Sequence, residues 1–444
     1  MRKNLNKIVA FAIGVSVIGG NIVPAMAADT NVTYIDLSAI ASAQESQKNA
    51  KPVLTIDEAI DGAKSCSNTL AILDENIKLI QSINSLSDKK DNVINDSNDS
   101  VSGVTDSQKD YNEDSRKLQL AQLEQKRDFQ VDKLKQIVTD SYNSLILSEA
   151  NIAKLKKDIE LQKTEIEQYN LKRKLGLITD INIDQVNIAL QKNLNDLENK
   201  ENTIKDDKYN FKVLTGKDLD KYSLEDKIQY NKFEFEGTID EYLDGLIGEY
   251  LSYTEEINDL NKDFWNDDDN KITNSDVSDA KNYYEQHKND AAPNLSSYLE
   301  GKTGDDRTNA IASYLADSQK YTNGLSAYTA MIGARMNYLQ NKSSVITSEL
   351  QLKETKDQYK KALRTMYTNL VNIEKSIDLI NSNVELDNKQ LRIIKVNYDL
   401  GLKTKLEYDK SVNESETLNI QLKTTINSYN TLKAQLEKPW IALS

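Results

Sequence analysis

Hydrophobic residues recur at alternating gaps of four and three along residues 359–398. The positions that hold this pattern are Tyr359, Leu363, Met366, Leu370, Ile373, Ile377, Ile380, Val384, Leu391, Ile394 and Tyr398. Only Asp387 interrupts the run. Because a period of 3.5 residues is typical of a coiled-coil seam, the pattern predicts a long helix that buries one stripe. Residues 334–400 contain neither Gly nor Pro, which permits an unbroken helix of about 100 Å.

A weaker copy of this seam lies 225 positions earlier in the chain. Its apolar positions are Leu134, Val138, Leu145, Ile152, Leu155, Ile159, Ile166 and Tyr169. Each copy ends in Leu-Gly-Leu, at residues 175–177 and 400–402, and Leu161 of the first copy corresponds to Leu386 of the second. Upstream, the segment TIDEAIDG at residues 55–62 returns as TIDEYLDG at residues 238–245. The chain therefore consists of two structural repeats of one helical unit.

Each unit contains the signals for a long antiparallel helical hairpin. Thr55-x-x-Glu58 and Thr238-x-x-Glu241 form capping boxes that start a helix. Gly176 and Gly401 can take a positive φ and end the long helices, after which a return helix follows. We therefore predict an all-α fold of two repeats of long coiled-coil hairpins.

These signals divide the chain into consecutive segments. They are a signal peptide (1–27), a polar N-terminal segment (28–54), helical repeat 1 (55–236) with a loop insert (85–115), helical repeat 2 (237–438) with a loop insert (265–325), and a C-terminal tail (439–444). The signal peptide has a basic start, a short apolar run and an Ala25-Met26-Ala27 cleavage site, which predicts export.

Composition narrows the function classes. Hydrophobic residues make up 38% of the chain, which favours elongated helices over a large compact core. The net charge is -14, and cleavage of the signal peptide removes three basic residues to give -17, so nucleic acid is not an expected partner. One cysteine, Cys66, and one histidine, His287, exclude clustered Cys/His zinc sites, and no spacing of carboxylates indicates a catalytic pair. We predict no enzyme activity and no cofactor, and we expect Cys66 to pack inside a helical bundle.

The motifs resemble those of the TolC-like outer-membrane efflux proteins. Repeat 1 opens with L-T-x-x-E-A at residues 54–59, and the second tip, residues 398–404, fits the form Y-x-x-G-L-x-T. The first tip has Arg173 in place of the tyrosine. The likeness covers most of residues 52–438 and rests on the duplicated order of cap, insert, long helix, Gly-Leu tip and return helix.

The resemblance implies a homotrimer whose hairpins close into a hollow α-barrel in the cell envelope. Such a barrel is a passive exit duct for drugs or secreted proteins, and its tips meet an adaptor protein that connects it to an inner-membrane transporter. Carried over to this chain, the adaptor-binding tip positions are Gly176, Leu177 and Thr179 in the first repeat, with Gly401, Leu402 and Thr404 in the second. Glu407 stands where the family places the first acid of a constriction, and Lys410 occupies the position of its companion.

The chain departs from the family at its inserts. The family carries membrane-spanning β-hairpins there, whose strands need about nine to eleven residues of alternating character. Residues 85–115 show no such alternation and residues 265–325 only a faint one at their end, so we expect the β-barrel strands to be weak or absent.

The expected location of the protein is the outer membrane if the cell has one, and otherwise the cell surface or the medium. A structural or adhesive coiled-coil surface protein without a pore stays open as the alternative function. The polar seam positions Ser141, Ser148 and Gln162 suit a tube wall, although polar residues also set register in simple coiled coils.

A degenerate calcium loop occupies residues 265–276. Asp267, Asp269, Thr273 and Asp276 fall at ligand positions three, five, nine and twelve of such a loop. The first position is Trp265 and the sixth is Asn270 instead of glycine, so we predict a solvated acidic loop and no metal site, with these four residues as the candidate ligands of the alternative.

Overall fold

The structure, a computed structural model, describes residues 51–96, 105–177 and 180–443. Its helices are α1 (Ile56–Cys66), α2 (Asn68–Asp96), α3 (Asp106–Lys174), α4 (Asp180–Thr215), α5 (Ile239–Asn266), α6 (Asn274–His287), α7 (Leu295–Leu299), α8 (Gly304–Asp399) and α9 (Lys405–Glu437). Two short strands, β1 (Val53–Leu54) and β2 (Ser223–Leu224), pair in parallel. The predicted all-α class is confirmed. The predicted signal peptide and residues 28–50 lie outside the described residues.

The repeat seams form the buried core, as the 3.5-residue period predicts. In α8 the seam residues Leu363, Leu370 and Ile377 are completely buried. In α3 their equivalents Val138 and Leu145 are buried together with α1, the start of α2 and α4. The capping box of α1 forms as expected, because the Thr55 hydroxyl accepts from the Glu58 N–H (3.2 Å) and the Glu58 carboxylate accepts from the Thr55 N–H (3.0 Å).

Several helix boundaries differ from the sequence prediction. The first helix breaks at Ser67, whose hydroxyl accepts from the Leu70 N–H (3.3 Å) and so starts a new helix. α2 then continues to Asp96 and α3 begins at Asp106, with Thr105 as its cap, so much of the predicted loop 85–115 is helical. The sequence prediction missed these helices because their hydrophobicity is low. Local caps and ion pairs support them instead of an apolar stripe.

The second insert is helical for the same reason. Residues 265–325 contain α6, α7 and the first turns of α8, which begins at Gly304. Thr273 and Asp276 form the capping box of α6, and Asn294 caps α7. The prediction of a long irregular stretch was therefore wrong, because it relied on an apolar stripe that exposed, capped helices do not need.

The chain divides into two compact units. The hairpin unit comprises residues 20–74, 125–250 and 358–444, and the insert unit comprises residues 75–124 and 251–357, in both cases where the structure describes them. In the hairpin unit α3 contacts α4 through the Lys156–Glu201 ion pair (2.7 Å), and α9 contacts α8 through the Tyr429 hydroxyl, which donates to Glu374 (2.7 Å).

A row of polar contacts joins α3 to α9, so that the helices follow one another in the order α4, α3, α9 and α8. The contacts join Asp140 to Thr431 (2.6 Å), Asn143 to Asn427 (2.8 Å) and Glu165 to Lys410 (2.8 Å). Burial raises the pKa of Asp140 above its ordinary value, against the lowering effect of the hydrogen bond from Thr431. The residue numbers rise along α3 as they fall along α9, so the two helices are antiparallel neighbours.

The C-terminal segment is anchored on α3. Asp132 accepts from Lys438 (2.9 Å) and from the indole N–H of Trp440 (3.2 Å), and the Trp440 ring stacks on Phe129 with centroids 4.3 Å apart. Burial opposes ionisation of Asp132, but the hydrogen bonds led by Lys438 outweigh it and hold the pKa of this carboxyl below its ordinary value. The cation and the ring thus fix the end of the chain.

Cys66 is exposed, so the prediction that it packs inside the bundle was wrong. It is the last residue of α1, directly before the break at Ser67. The helical pattern from which packing was inferred does not continue through this position.

Candidate functional site

The two hairpin tips have the same backbone geometry. At the first, Gly176 has φ 72°, its N–H donates to the carbonyl of Arg173 (2.9 Å), and the Leu177 N–H donates to that of Lys172 (3.0 Å). This pair of bonds is a Schellman motif, which satisfies the last carbonyls of a helix and requires a residue tolerant of positive φ. The predicted terminator role of Gly176 is thereby confirmed.

The second tip repeats the motif. Gly401 also has φ 72°, its N–H donates to the carbonyl of Tyr398 (2.9 Å), and the Leu402 N–H donates to that of Asn397 (2.8 Å). Both motifs leave the following leucine outside, with Leu177 69% and Leu402 72% exposed. The local-packing alternative for these leucines does not fit such exposure, so each tip presents one large apolar side chain to solvent.

A pair of stacked tyrosines, Tyr398 and Tyr408, flanks the second tip. The sequence did not predict this pair. The Tyr398 and Tyr408 rings stack across the turn with centroids 5.2 Å apart. The Lys395 ammonium lies 5.2 and 5.5 Å from the two ring centroids and 2.6 Å from the Asp399 carboxylate, which raises the pKa of the lysine. The sequence contained one signal for this arrangement. Lys395 and Asp399 are four residues apart in the last turns of α8 before Gly401, which is the spacing of an ion pair on a helix surface.

The remaining tip residues serve the restart of the helices. Thr404 caps α9, and the Glu407 carboxylate accepts from the Thr404 N–H (2.7 Å) and hydroxyl (2.9 Å). These hydrogen bonds, the backbone one first, lower the pKa of Glu407. Lys410 pairs with Glu165 of α3. Thr179 lies outside the described residues.

The edge helices of the hairpin unit expose a second apolar stripe. On α8 and at the residue directly after it, large apolar residues repeat every seven positions near the tip, and each exposes more than half of its surface. They are Leu379, Leu386, Ile393 and Leu400. On α4, at the other end of the helix order, Ile181 and Ile188 are exposed and also seven apart. A stripe with this spacing matches the seam that one helix offers to another.

The two repeats differ at one pair of equivalent residues on this stripe. Leu161 of α3 is 6% exposed, whereas its repeat partner Leu386 of α8 is 54% exposed. α3 lies between α4 and α9, while near the tip α8 has its chain neighbour α9 on one side. The face of α8 that corresponds to a covered face of α3 is thus open in the single chain.

Three of the four candidate calcium ligands are engaged in helix caps. Asp267 accepts from the Asp269 N–H (2.9 Å), and Thr273 and Asp276 cap α6 by bonding each other (2.9 Å). Lys271 pairs with Asp268 inside the same loop. Among the residues that the structure describes, no three His, Cys, Asp or Glu side chains gather as a metal site.

None of the helices within residues 51–96, 105–177 and 180–443 combines the length and the apolar character that a membrane span requires.

Comparison with known proteins finds no matching family model and no matching curated protein. Solved structures do match. The Campylobacter jejuni CmeC outer membrane channel aligns with a TM-score of 0.44 and 12% identity over 94% of this chain and 94% of that chain. The Neisseria gonorrhoeae MtrE outer membrane channel aligns with a TM-score of 0.42 and 11% identity over 93% and 98%, respectively. The outer membrane protein VceC from Vibrio cholerae aligns with a TM-score of 0.42 and 13% identity over 86% and 96%. This chain is thus similar, over most of its length, to outer-membrane proteins and channels.

Proposed function

We propose that this protein is a TolC-like conduit of the cell envelope. Copies of the chain join side by side through the edge helices of the hairpin unit, with α8 of one copy against α4 of the next, and close into a homotrimeric tube. Transport through the tube is passive. Its tips bind an adaptor protein, and an inner-membrane transporter supplies the energy.

The observation that carries this proposal is the unequal burial of Leu161 and Leu386. α3 and α8 are equivalent helices of the two repeats, and α9 packs against one face of α3. We therefore expect a helix to pack against the corresponding face of α8, which is open in the single chain. The helix equivalent to α9 in the other repeat is α4, and its exposed Ile181 and Ile188 give it the matching stripe. In the single chain the stripes on α8 and α4 are both exposed, so the chain does not cover them itself and we assign the partner to a second copy.

The polarity of the helices agrees with this closure. α8 runs towards the second tip and α4 runs away from the first, so that neighbours across the interface are antiparallel like α3 and α9 inside the chain. An interface between two different edges is heterologous, and such interfaces form rings when the rotation closes. The trimer number comes from the family resemblance.

The tips supply the docking surface of the proposal. Leu177 and Leu402 project from rigid Schellman turns, and a rigid turn that presents an apolar anchor suits recognition by a partner hairpin. Glu407 belongs to the proposal as a constriction residue only through the resemblance, since its carboxylate also serves the cap of α9.

The assembly is tested by the mass of the mature protein, residues 28–444, in native mass spectrometry. The wild type is expected as a trimer, and Leu386→Glu should give monomers because it places a charge in an apolar seam. Glu385→Lys is the matched control, since it changes charge at the adjacent exposed position and should remain trimeric. A monomeric wild type would overturn the proposal.

The docking role is tested by co-purification with periplasmic adaptor proteins from the source organism. Leu402→Asp should abolish the interaction. Lys405→Asp introduces the same charge three residues later in the exposed first turn of α9, where an acid is tolerated, and should retain it. Equal binding by both variants would exclude the tip as the contact.

A further inference from the structure

The insert unit carries two further exposed apolar seams. On α2 the seam consists of Leu79, Ile83, Leu86 and Val93, at gaps of four, three and seven, with Lys90 completing the heptad. On α8 it consists of Ile332, Met336, Leu339, Ile346 and Leu350, with Ser343 completing the same alternation. All but one of these apolar residues expose about half of their surface or more. Runs of this kind are too long to be scattered surface residues.

These two seams are distinct from the faces that the helices bury within the unit. On α2 the inward positions Ile77 and Ile80 alternate with the exposed ones, and on α8 Ala334 and Tyr338 are buried while Met336 and Leu339 are not. Each helix therefore has apolar residues on two faces, only one of which has a neighbour within the insert unit. A helix with two apolar faces buries both of them only when a helix packs on each side.

The two open seams lie at opposite ends of one helix order. The polar contacts that establish this order are Arg116 of α3 with Asp91 of α2 (2.9 Å), Tyr111 of α3 with Asn261 of α5 (2.6 Å), and Lys262 of α5 with Glu349 of α8 (2.6 Å). The helices thus follow one another as α2, α3, α5 and α8. The edges of the layer are the helices that carry the open seams.

We infer that the α2 seam of one copy packs against the α8 insert seam, residues 332–350, of a neighbouring copy. The insert unit then closes into a helical ring by contacts between its own helices. This inference rests on the proposed conduit and deepens it, because it names a second surface between copies and identifies the partner as another molecule of this chain.

Two observations favour a second copy over other occupants. The 3.5-residue period is that of a helical partner, and both halves of such a pair exist on opposite edges of the same layer. The α2 seam is narrow, with exposed Lys78, Asp88 and Lys89 close beside it, whereas a lipid-facing helix needs a broad apolar face.

Cysteine accessibility tests this inference in the assembled mature protein. In a Cys66→Ser background, Leu86→Cys and Leu339→Cys place a thiol on each seam. Ser85→Cys and Ser344→Cys are matched controls at exposed positions of the same helices outside the seams. Each variant is labelled with a maleimide reagent in buffer, in urea, and with vesicles of phosphatidylethanolamine and phosphatidylglycerol.

In buffer we expect both seam thiols to react at least tenfold more slowly than their controls, and all four thiols to react equally in urea. Adding Leu79→Glu to the Leu339→Cys variant should restore fast labelling, because it damages the partner seam in the neighbouring copy. The mass of every variant is measured alongside.

Each other outcome overturns the inference in a recognisable way. A trimer whose seam thiols react as fast as the controls would refute the second surface and leave the proposed conduit standing. A monomer would refute both. Protection that appears only with vesicles would show that lipid, and not a second copy, covers the seams. Protection at Leu339→Cys that is unchanged by Leu79→Glu would refute the pairing of α2 with α8.

Discussion

A pair of glycines at equivalent positions of the two repeats gives the sharpest test of the fold. Gly62 of α1 and Gly245 of α5 both follow an Asp in the repeated segment. A Cβ on Gly62 would lie 2.3 Å from the carbonyl oxygen of Thr215, whereas a Cβ on Gly245 would meet nothing within 4 Å. The same substitution is therefore expected to have opposite effects in the two repeats.

The magnitudes follow from helix propensity and overpacking. Gly→Ala inside a helix gains about 1 kcal/mol, so Gly245→Ala should be stabilising by roughly that amount. At Gly62 the same gain is offset by an overpacking cost of about 1–3 kcal/mol, because α1 must move away from a buried backbone group. The free energy of unfolding of Gly62→Ala should therefore lie about 1–3 kcal/mol below that of Gly245→Ala.

Urea unfolding of the two variants, followed by circular dichroism at 222 nm at equal protein concentration, measures this difference. Equal midpoints for both variants, or a more stable Gly62→Ala, would refute the close packing of α1 on the end of α4. The comparison within one chain removes the contribution of the unfolded state, which is similar for both substitutions.

Three further predictions concern single side chains. The buried Tyr142 hydroxyl donates to the carbonyl of Leu54 (2.6 Å) and accepts from the Glu225 N–H (2.7 Å), so Tyr142→Phe should destabilise the protein by about 1–3 kcal/mol in urea unfolding, while the exposed control Tyr209→Phe should not. Because the pKa of Asp132 is lowered in the folded state, its contribution is present at neutral pH and lost as the pH falls through that pKa. The fluorescence of Trp440, measured in a Trp265→Phe background, should change in that acid range and should not do so in the Asp132→Asn variant. Glu407→Gln should keep the melting temperature, because glutamine completes a capping box, whereas Glu407→Ala should lower it; equal melting temperatures would exclude the cap.

The seams and tips were predictable because they follow from period and local chemistry. The 3.5-residue repeat predicts the burial found at the seam residues Leu363 and Leu370, and glycine after a long helix predicts the positive φ found at Gly401. The insert helices were missed because α6 and α7 contain no buried residues among those the structure describes, so hydrophobic periodicity gave no signal.

The edge seams illustrate what periodicity alone does not decide. Leu161 and Leu386 occupy equivalent positions and carry the same side chain, yet one is buried and the other exposed. The difference depends on which helices follow one another in space, and the chain order of the repeats does not encode this directly. Only the contacts between α3 and α9 show which helix is internal and which is an edge.

Electron microscopy of the purified mature protein in detergent-free buffer tests the conduit most directly. We expect the wild type to form three-fold particles with a hollow lumen in end view, and Leu386→Glu to lose them. Solid rods or single chains would contradict it and would favour a coiled-coil surface protein that has the two repeats without a pore.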